Sequence, residues 1–239
     1  MRPAADQILR IPLAPLLAAQ GLGVRRRANT LPEPPGARQG QAGKGAPLRL
    51  LIVGDSSAAG VGARSQDTAL SGQVVKNLAQ DFDVSWKLIG ESSITTTGML
   101  KRLATVPPSA FDVAITALGV NDVTRASSRA KWVKRQTELA EVLSSKFAVQ
   151  TIVASGLPPM GAYPELPQPL RWVLGAHAKR LDDALADLAA THRQLTHLPL
   201  NLPFEPRYQA SDGYHPSEEA YTIWAAMFAD HIRAQLPLS

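Results

Sequence analysis

The sequence predicts an α/β protein: a three-layer sandwich in which helices cover both faces of a parallel sheet of about five strands. Three observations predict it. From residue 48 onward, short apolar runs alternate with stretches of helical periodicity. The first of them, Leu48–Val53, is a short apolar run ending in Gly-Asp-Ser, the signature of a buried parallel strand. At 239 residues, 45% hydrophobic and 19% charged, the chain is also long enough to bury a substantial core without disulfides.

The first strand is expected at Leu48–Val53 (LRLLIV), running into Gly54-Asp55-Ser56. A helix follows over Thr68–Gln80, then a strand at Val84–Ile89 and a helix near Thr97–Thr105. Phe111–Leu118 is the third strand, Ala130–Lys146 a helix, and Gln150–Ala154 the fourth strand. Leu170–Thr191 is a long helix, with Leu174, Leu181, Leu185 and Leu188 at helical spacing. A weak fifth strand lies near Leu195–Leu200, and Ser217–Gln235 closes the chain as a helix entered through Pro216. Chemistry in such a sheet belongs at the carboxyl ends of the strands and in one late loop.

Charge divides the chain. Residues 1–49 hold eight basic and two acidic residues, a net of +6; the remainder is at −1. The basic balance thus belongs to an N-terminal extension, residues 1–47, and not to the domain expected over 48–239. A nucleic-acid partner is not expected, because no basic face is implied on the folded part. Residues 8–24 are apolar but interrupted by Arg10, Pro12 and Pro15, and Arg25, Arg26 and Arg27 follow. A secretory signal would carry its charge before the apolar core, so no cleaved signal is expected, and a cytoplasmic or membrane-peripheral location is favoured. The extension either packs on the main domain or makes peripheral membrane contact, its arginines facing anionic headgroups. Residues 31–47, with four Pro and four Gly, read as a linker or surface strap.

Several chemistries are excluded. Without cysteine there is no disulfide, thiolate metal site or cysteine nucleophile. The turn after Val53 lacks the lysine of a phosphate-binding loop, the third glycine of a dinucleotide site, and the second glycine of a G-x-S-x-G elbow. What remains is Ser56 at a strand-to-helix turn, where its hydroxyl meets the functional edge and backbone N–H groups can hold an oxyanion. Asn121, in Gly119-Val120-Asn121-Asp122, either offers its amide to negative charge or forms an Asx turn. Asp212 and His215 share one loop at a spacing that lets the carboxylate orient the imidazole as a base, or they form an ordinary capping loop before Pro216. The proline-stiffened segment Ser155–Pro169, with Leu157, Met160, Tyr163 and Leu166, is either one wall of an apolar pocket or a plain long connection. His177, His192 and His197 lack metal-ligand spacing and read as surface positions.

Taken in order, Gly54-Asp55-Ser56, Gly119-x-Asn121-Asp122 and Asp212-x-x-His215 resemble the blocks of the SGNH, or GDSL-type, hydrolase family, over about residues 48–236. The resemblance implies a flavodoxin-like architecture, Ser56 as nucleophile, His215 as general base and acid, and Asp212 as its orienter. It also implies oxyanion donors in Asn121 and the Ser56 N–H, a small-molecule ester substrate, and neither metal nor organic cofactor. Short-chain or acetyl esters are the expected substrates, cleaved through an acyl-serine. An acyltransferase, or a weakly active or non-catalytic membrane-associated binding module, is the alternative. One block departs: where the family has an oxyanion-hole glycine after the second strand, this chain aligns Ser93, with Gly90 as the rival.

Overall fold

The computed structural model describes residues 5–27, 29–203 and 205–236. Its centre is a six-stranded sheet in the order β1-β3-β2-β4-β5-β6. The strands are β1 (Gln39–Ala42), β2 (Ala46–Gly54), β3 (Phe82–Gly90), β4 (Val113–Ala117), β5 (Thr151–Ser155) and β6 (Leu195–Leu198). β2 to β6 pair in parallel, and β1 runs antiparallel to β3. The helices are α1 (Ala5–Leu9), α2 (Ala14–Arg27), α3 (Leu70–Leu78), α4 (Thr96–Thr105), α5 (Val120–Thr124), α6 (Arg129–Phe147), α7 (Leu170–Thr191) and α8 (Glu218–Gln235).

β2 shows why its sequence is apolar on consecutive residues. Leu50 and Ile52 face α3 and α8, packing with Leu70, Val74, Tyr221 and Phe228. Leu51 and Val53 face the opposite layer, with Met99, Leu143, Phe147 and Leu181 from α4, α6 and α7. All four strand residues are fully buried, each worth roughly 2 kcal/mol of apolar transfer. The starts of α4, α6 and α8 carry side-chain caps: Thr95 Oγ1 accepts from the Gly98 N–H, Ser128 Oγ from Lys131 and Ser217 Oγ from Ala220. α6 ends at Ala148, whose φ of 52° turns the chain out of the helix.

The structure corrects the expected extension. The strap is not a linker: Gln39–Ala42 forms the sixth strand, and β2 begins at Ala46, so a boundary at residue 47 cuts through the sheet. Physically, β3 would otherwise present an open edge, and β1 supplies the missing backbone partners. Further up the strap, the Pro35 carbonyl accepts from the Gln66 N–H at 2.8 Å and the Pro34 carbonyl from the Gln66 side-chain amide at 3.2 Å. The preceding apolar segment forms two helices. Pro15 does not interrupt α2, because it sits in the first helical turn, where its missing N–H has no acceptor to lose. Asp6 of α1 is buried and accepts two hydrogen bonds from Arg180 of α7, at 2.7 and 2.6 Å.

Candidate active site

Ser56 lies just past the end of β2, and Asp212 and His215 lie in the loop before α8. The structure brings them together. With the ring proton on Nδ1, His215 donates to Asp212 Oδ2 at 2.5 Å, and its Nε2 accepts from the Ser56 hydroxyl at 2.8 Å. The other Asp212 oxygen accepts from the backbone N–H groups of Tyr214 and His215, at 2.9 and 3.0 Å. Burial opposes ionisation of this carboxyl. The hydrogen bonds from the His215 ring and the two backbone N–H groups outweigh it and hold Asp212 below the usual carboxylate range. A hydroxyl, an imidazole and an ionised carboxylate in series can move a proton from the oxygen to the ring.

Local sequence explains why two segments 159 residues apart meet this closely. Gly62 takes a φ of 102°, and a Cβ there would stand 2.3 Å from the Pro216 carbonyl, so only glycine lets the Ser56 turn pass under the His215 loop. The Tyr221 hydroxyl of α8 donates to the Val61 carbonyl at 2.7 Å. Glu218 accepts from the Arg64 N–H at 2.9 Å and from its guanidinium at 3.0 and 2.8 Å, contacts that bring its carboxyl down to about 2.

The loop after β3 carries Ser93 at a φ of 63°, in the left-handed region that favours glycine. Gly90 has a different task. It ends β3 opposite Gly54, and a Cβ on it would meet the Ala59 nitrogen at 2.8 Å, so it serves close packing beneath the Ser56 turn. Ser93 lines the same cavity as Ser56, together with Asn121. Asn121 sits in the first turn of α5, a short helix where a bare Asx turn was the alternative. Its amide donates one N–H to the Ile94 carbonyl at 3.0 Å. Asp122 points the other way, accepting from Thr96 N–H and Oγ1 at 2.9 and 3.0 Å. That ties α5 to the start of α4.

Two strap residues outside the sequence motifs help hold this loop, and Arg125 donates to the Ser93 carbonyl at 2.9 Å. Glu33, on the strap, accepts from the Ser92 N–H at 2.7 Å and the Ser92 hydroxyl at 2.8 Å through one oxygen. Arg38 pairs with the other Glu33 oxygen and donates to the Gly90 carbonyl at 2.9 Å. The strap thus grips both ends of the turn that sets Ser93 in its unfavoured conformation. Glu33→Ala is expected to lower kcat about tenfold with KM little changed. Steady-state kinetics checks it, and an unchanged kcat would show the loop holds itself. No pattern within the strap signals this role, since Glu33 and Arg38 stand in a Pro/Gly-rich stretch and act on a segment far along the chain.

Asp55, beside the serine, is fully buried, and burial pushes its carboxyl up to about 6 despite the Ser57 N–H bonded to it at 3.1 Å. A raised carboxyl binds its proton more tightly folded than unfolded. Its contribution to stability therefore falls as pH rises from about 4 to about 6, and is level beyond. Asp55→Asn removes that titration. Between pH 4 and pH 7.5 the variant's unfolding free energy is expected to move in its favour, relative to the wild type, by roughly 2 kcal/mol. Urea unfolding at both pH values measures it, and a constant gap would contradict it.

The cavity holding these groups has a volume of about 1210 Å³. Leu157, Met160, Tyr163 and Leu166 of the post-β5 loop line it, as do Val173 and Leu174 of α7. α2 contributes Leu17 and Leu22. His177 of α7 lines it too and corrects the expected surface position: it is 5% exposed, and burial lowers its pKa to about 4, leaving the ring neutral near pH 7. His197, on β6, pairs with Asp182 at 2.9 Å. Among the described residues no three His, Asp or Glu side chains gather as a metal site.

A parallel sheet with a Ser–His–Asp contact chain at its carboxyl edge, the serine just past the first parallel strand and the Asp–His pair before the last helix, defines the SGNH type of hydrolase fold. The chain belongs to the GDSL-like lipase/acylhydrolase family, whose model matches residues 52–223. It is 28% identical over 191 residues to the GDSL-like esterase Rv1075c of Mycobacterium tuberculosis, a match over 74% of this chain and 59% of that protein. Its fold is similar to the crystal structure of a lipase/acylhydrolase from Enterococcus faecalis (TM-score 0.60, 21% identity, 80% of this chain and 98% of that one). It is similar also to a member of the lipolytic G-D-S-L family from Veillonella parvula (TM-score 0.61, 17% identity, 79% and 99%).

Proposed function

We propose that this protein is a serine ester hydrolase acting through an acyl-serine intermediate. The observation that carries the reading is the continuous hydrogen-bond chain from Ser56 through His215 to Asp212. Ser56 Oγ attacks the ester carbonyl while its proton passes to His215 Nε2, and the resulting imidazolium is stabilised by Asp212. The tetrahedral oxyanion is received by the backbone N–H groups of Ser56 and Ser93 and by the second N–H of the Asn121 amide. Collapse breaks the bond to the alcohol oxygen, which takes the proton from His215. Water then adds to the acyl-serine, giving its proton to the same nitrogen, and the acid leaves as Ser56 recovers its hydrogen. The left-handed backbone of Ser93, its place on the cavity and the packing task of Gly90 support Ser93 as the donor after β3.

Cavity size bears on the acyl group. A two-carbon acyl group would leave most of about 1210 Å³ unfilled, and the leucine and methionine side chains along its wall favour a longer apolar chain over acetyl. A series of p-nitrophenyl alkylphosphonates with short to long alkyl chains tests both parts of this reading. Covalent labelling of Ser56, seen as the adduct mass on its peptide, is expected to accelerate with chain length and to vanish in Ser56→Ala. A folded protein that takes no label from any member of the series would refute the nucleophile. Fastest labelling by the shortest member would refute the chain length.

A further inference from the structure

The face of α2 turned away from the cavity is unusual for a surface helix in water. From Ile11 to Val24 there is no charged residue, and the single polar side chain with hydrogen-bonding reach, Gln20, is turned inward. Its amide donates to the Gln168 carbonyl at 2.7 Å and accepts from the Leu170 N–H at 3.1 Å. No residue of α2 is fully buried. Large apolar side chains exposed among the described residues are Ile8, Leu9, Ile11, Leu16, Leu22 and Trp172, with Ile11 at 79% and Leu16 at 46%. Five of these belong to α1, α2 and the turn between them, and Trp172 stands beside Leu170, where Gln20 anchors the helix. One end of this apolar surface runs directly into Arg25, Arg26 and Arg27, all exposed. Leu22 and Arg25 belong both to this outer surface and to the cavity lining, so the patch is continuous with the rim of the cavity.

We propose that this surface docks the protein on an anionic lipid bilayer, with the cavity rim at the lipid interface. Two features select that occupant over a protein. An exposed apolar helix next to a tryptophan suits the boundary between acyl chains and headgroups. The triple arginine at its end complements the negative surface of anionic lipid, and no acidic residue lies between Asp6 and Glu33 to cancel it. No helix among the described residues is long and apolar enough to cross a membrane, so the contact is peripheral. Docking itself does not depend on the hydrolase reading; only what passes from the bilayer into the cavity rests on it.

The full chain is mixed with vesicles of phosphatidylcholine, alone or with phosphatidylglycerol, and sedimented. The wild type is expected to sediment with the mixed vesicles and to be released by raised salt. Ile11→Asp with Leu16→Asp is expected to weaken sedimentation by at least about tenfold. Arg26→Gln with Arg27→Gln is expected to abolish the preference for phosphatidylglycerol. None of these four side chains lines the cavity, so hydrolysis of a soluble short-chain nitrophenyl ester is expected to be unchanged in both variants. Circular dichroism and that hydrolysis confirm that each variant is folded. Wild-type protein that stays in solution with both vesicle types would overturn the proposal. So would folded variants that sediment as well as wild type, or a wild-type dimer, seen by light scattering, that Ile11→Asp with Leu16→Asp converts to monomer. Vesicle binding without ester hydrolysis would leave docking standing and remove the hydrolase reading alone.

Discussion

Asp212→Asn is expected to lower kcat by about 10⁴-fold with little change in KM. The size follows from which oxygen does what. Asp212 Oδ1 is occupied by the N–H groups of Tyr214 and His215, and only Oδ2 faces the imidazole. An asparagine must keep its oxygen on those two backbone donors, which turns its NH₂ toward His215 Nδ1. The ring then accepts at Nδ1 and carries its proton on Nε2, so an N–H and not a lone pair meets Ser56. The base is present but in the wrong tautomer, and the imidazolium that forms in the reaction loses its counter-charge. Steady-state kinetics on a nitrophenyl ester measures the loss, and a fall of less than about tenfold would mean that Asp212 only shapes the loop.

Asn121→Ala is expected to lower kcat by about 10²-fold, again with KM nearly constant. The amide is held by its bond to the Ile94 carbonyl, and one of its two N–H groups is left for a ligand oxygen. A donor aimed where charge develops acts on the transition state more than on the bound ester, so the loss falls on kcat. The measurement is again kcat and KM determined separately. A rise in KM at constant kcat would place Asn121 in substrate binding instead.

Much of the sheet was legible in the sequence because strands buried on both faces are dominated by apolar side chains. Leu48–Val53, Phe111–Leu118 and Gln150–Ala154 all lie at strands β2, β4 and β5, within two residues of their observed bounds. The segments that escaped are those whose structure is set by a distant partner. Gln39–Ala42 has neither apolar alternation nor β-branched residues, and it is a strand because β3 has an edge to fill. Residues 14–27 have weak helical amphipathicity and a proline, and their helix lies over the cavity. His177 looks like a polar residue on a long helix, and only the tertiary packing that brings Asp6, Arg10 and Ser127 around it buries it.

The candidate site divides in the same way. The sequence alone pointed to Ser56, Asn121, Asp212 and His215 as candidates, because each falls at a strand end or in one loop and carries its chemistry in its own side chain. It also showed that the chain departs from the glycine pattern at Ser93, without showing the backbone angle that gives the departure meaning. Tertiary structure decided what no local pattern holds: that Glu33 and Arg38 grip the Ser93 turn, that burial pushes the Asp55 carboxyl up to about 6, and that α2 walls a large apolar cavity. The physical reason is range. Strand and helix periodicity is written in residues a few places apart, whereas desolvation, a clamp between segments and the volume of a cavity depend on which surfaces meet after the chain has closed.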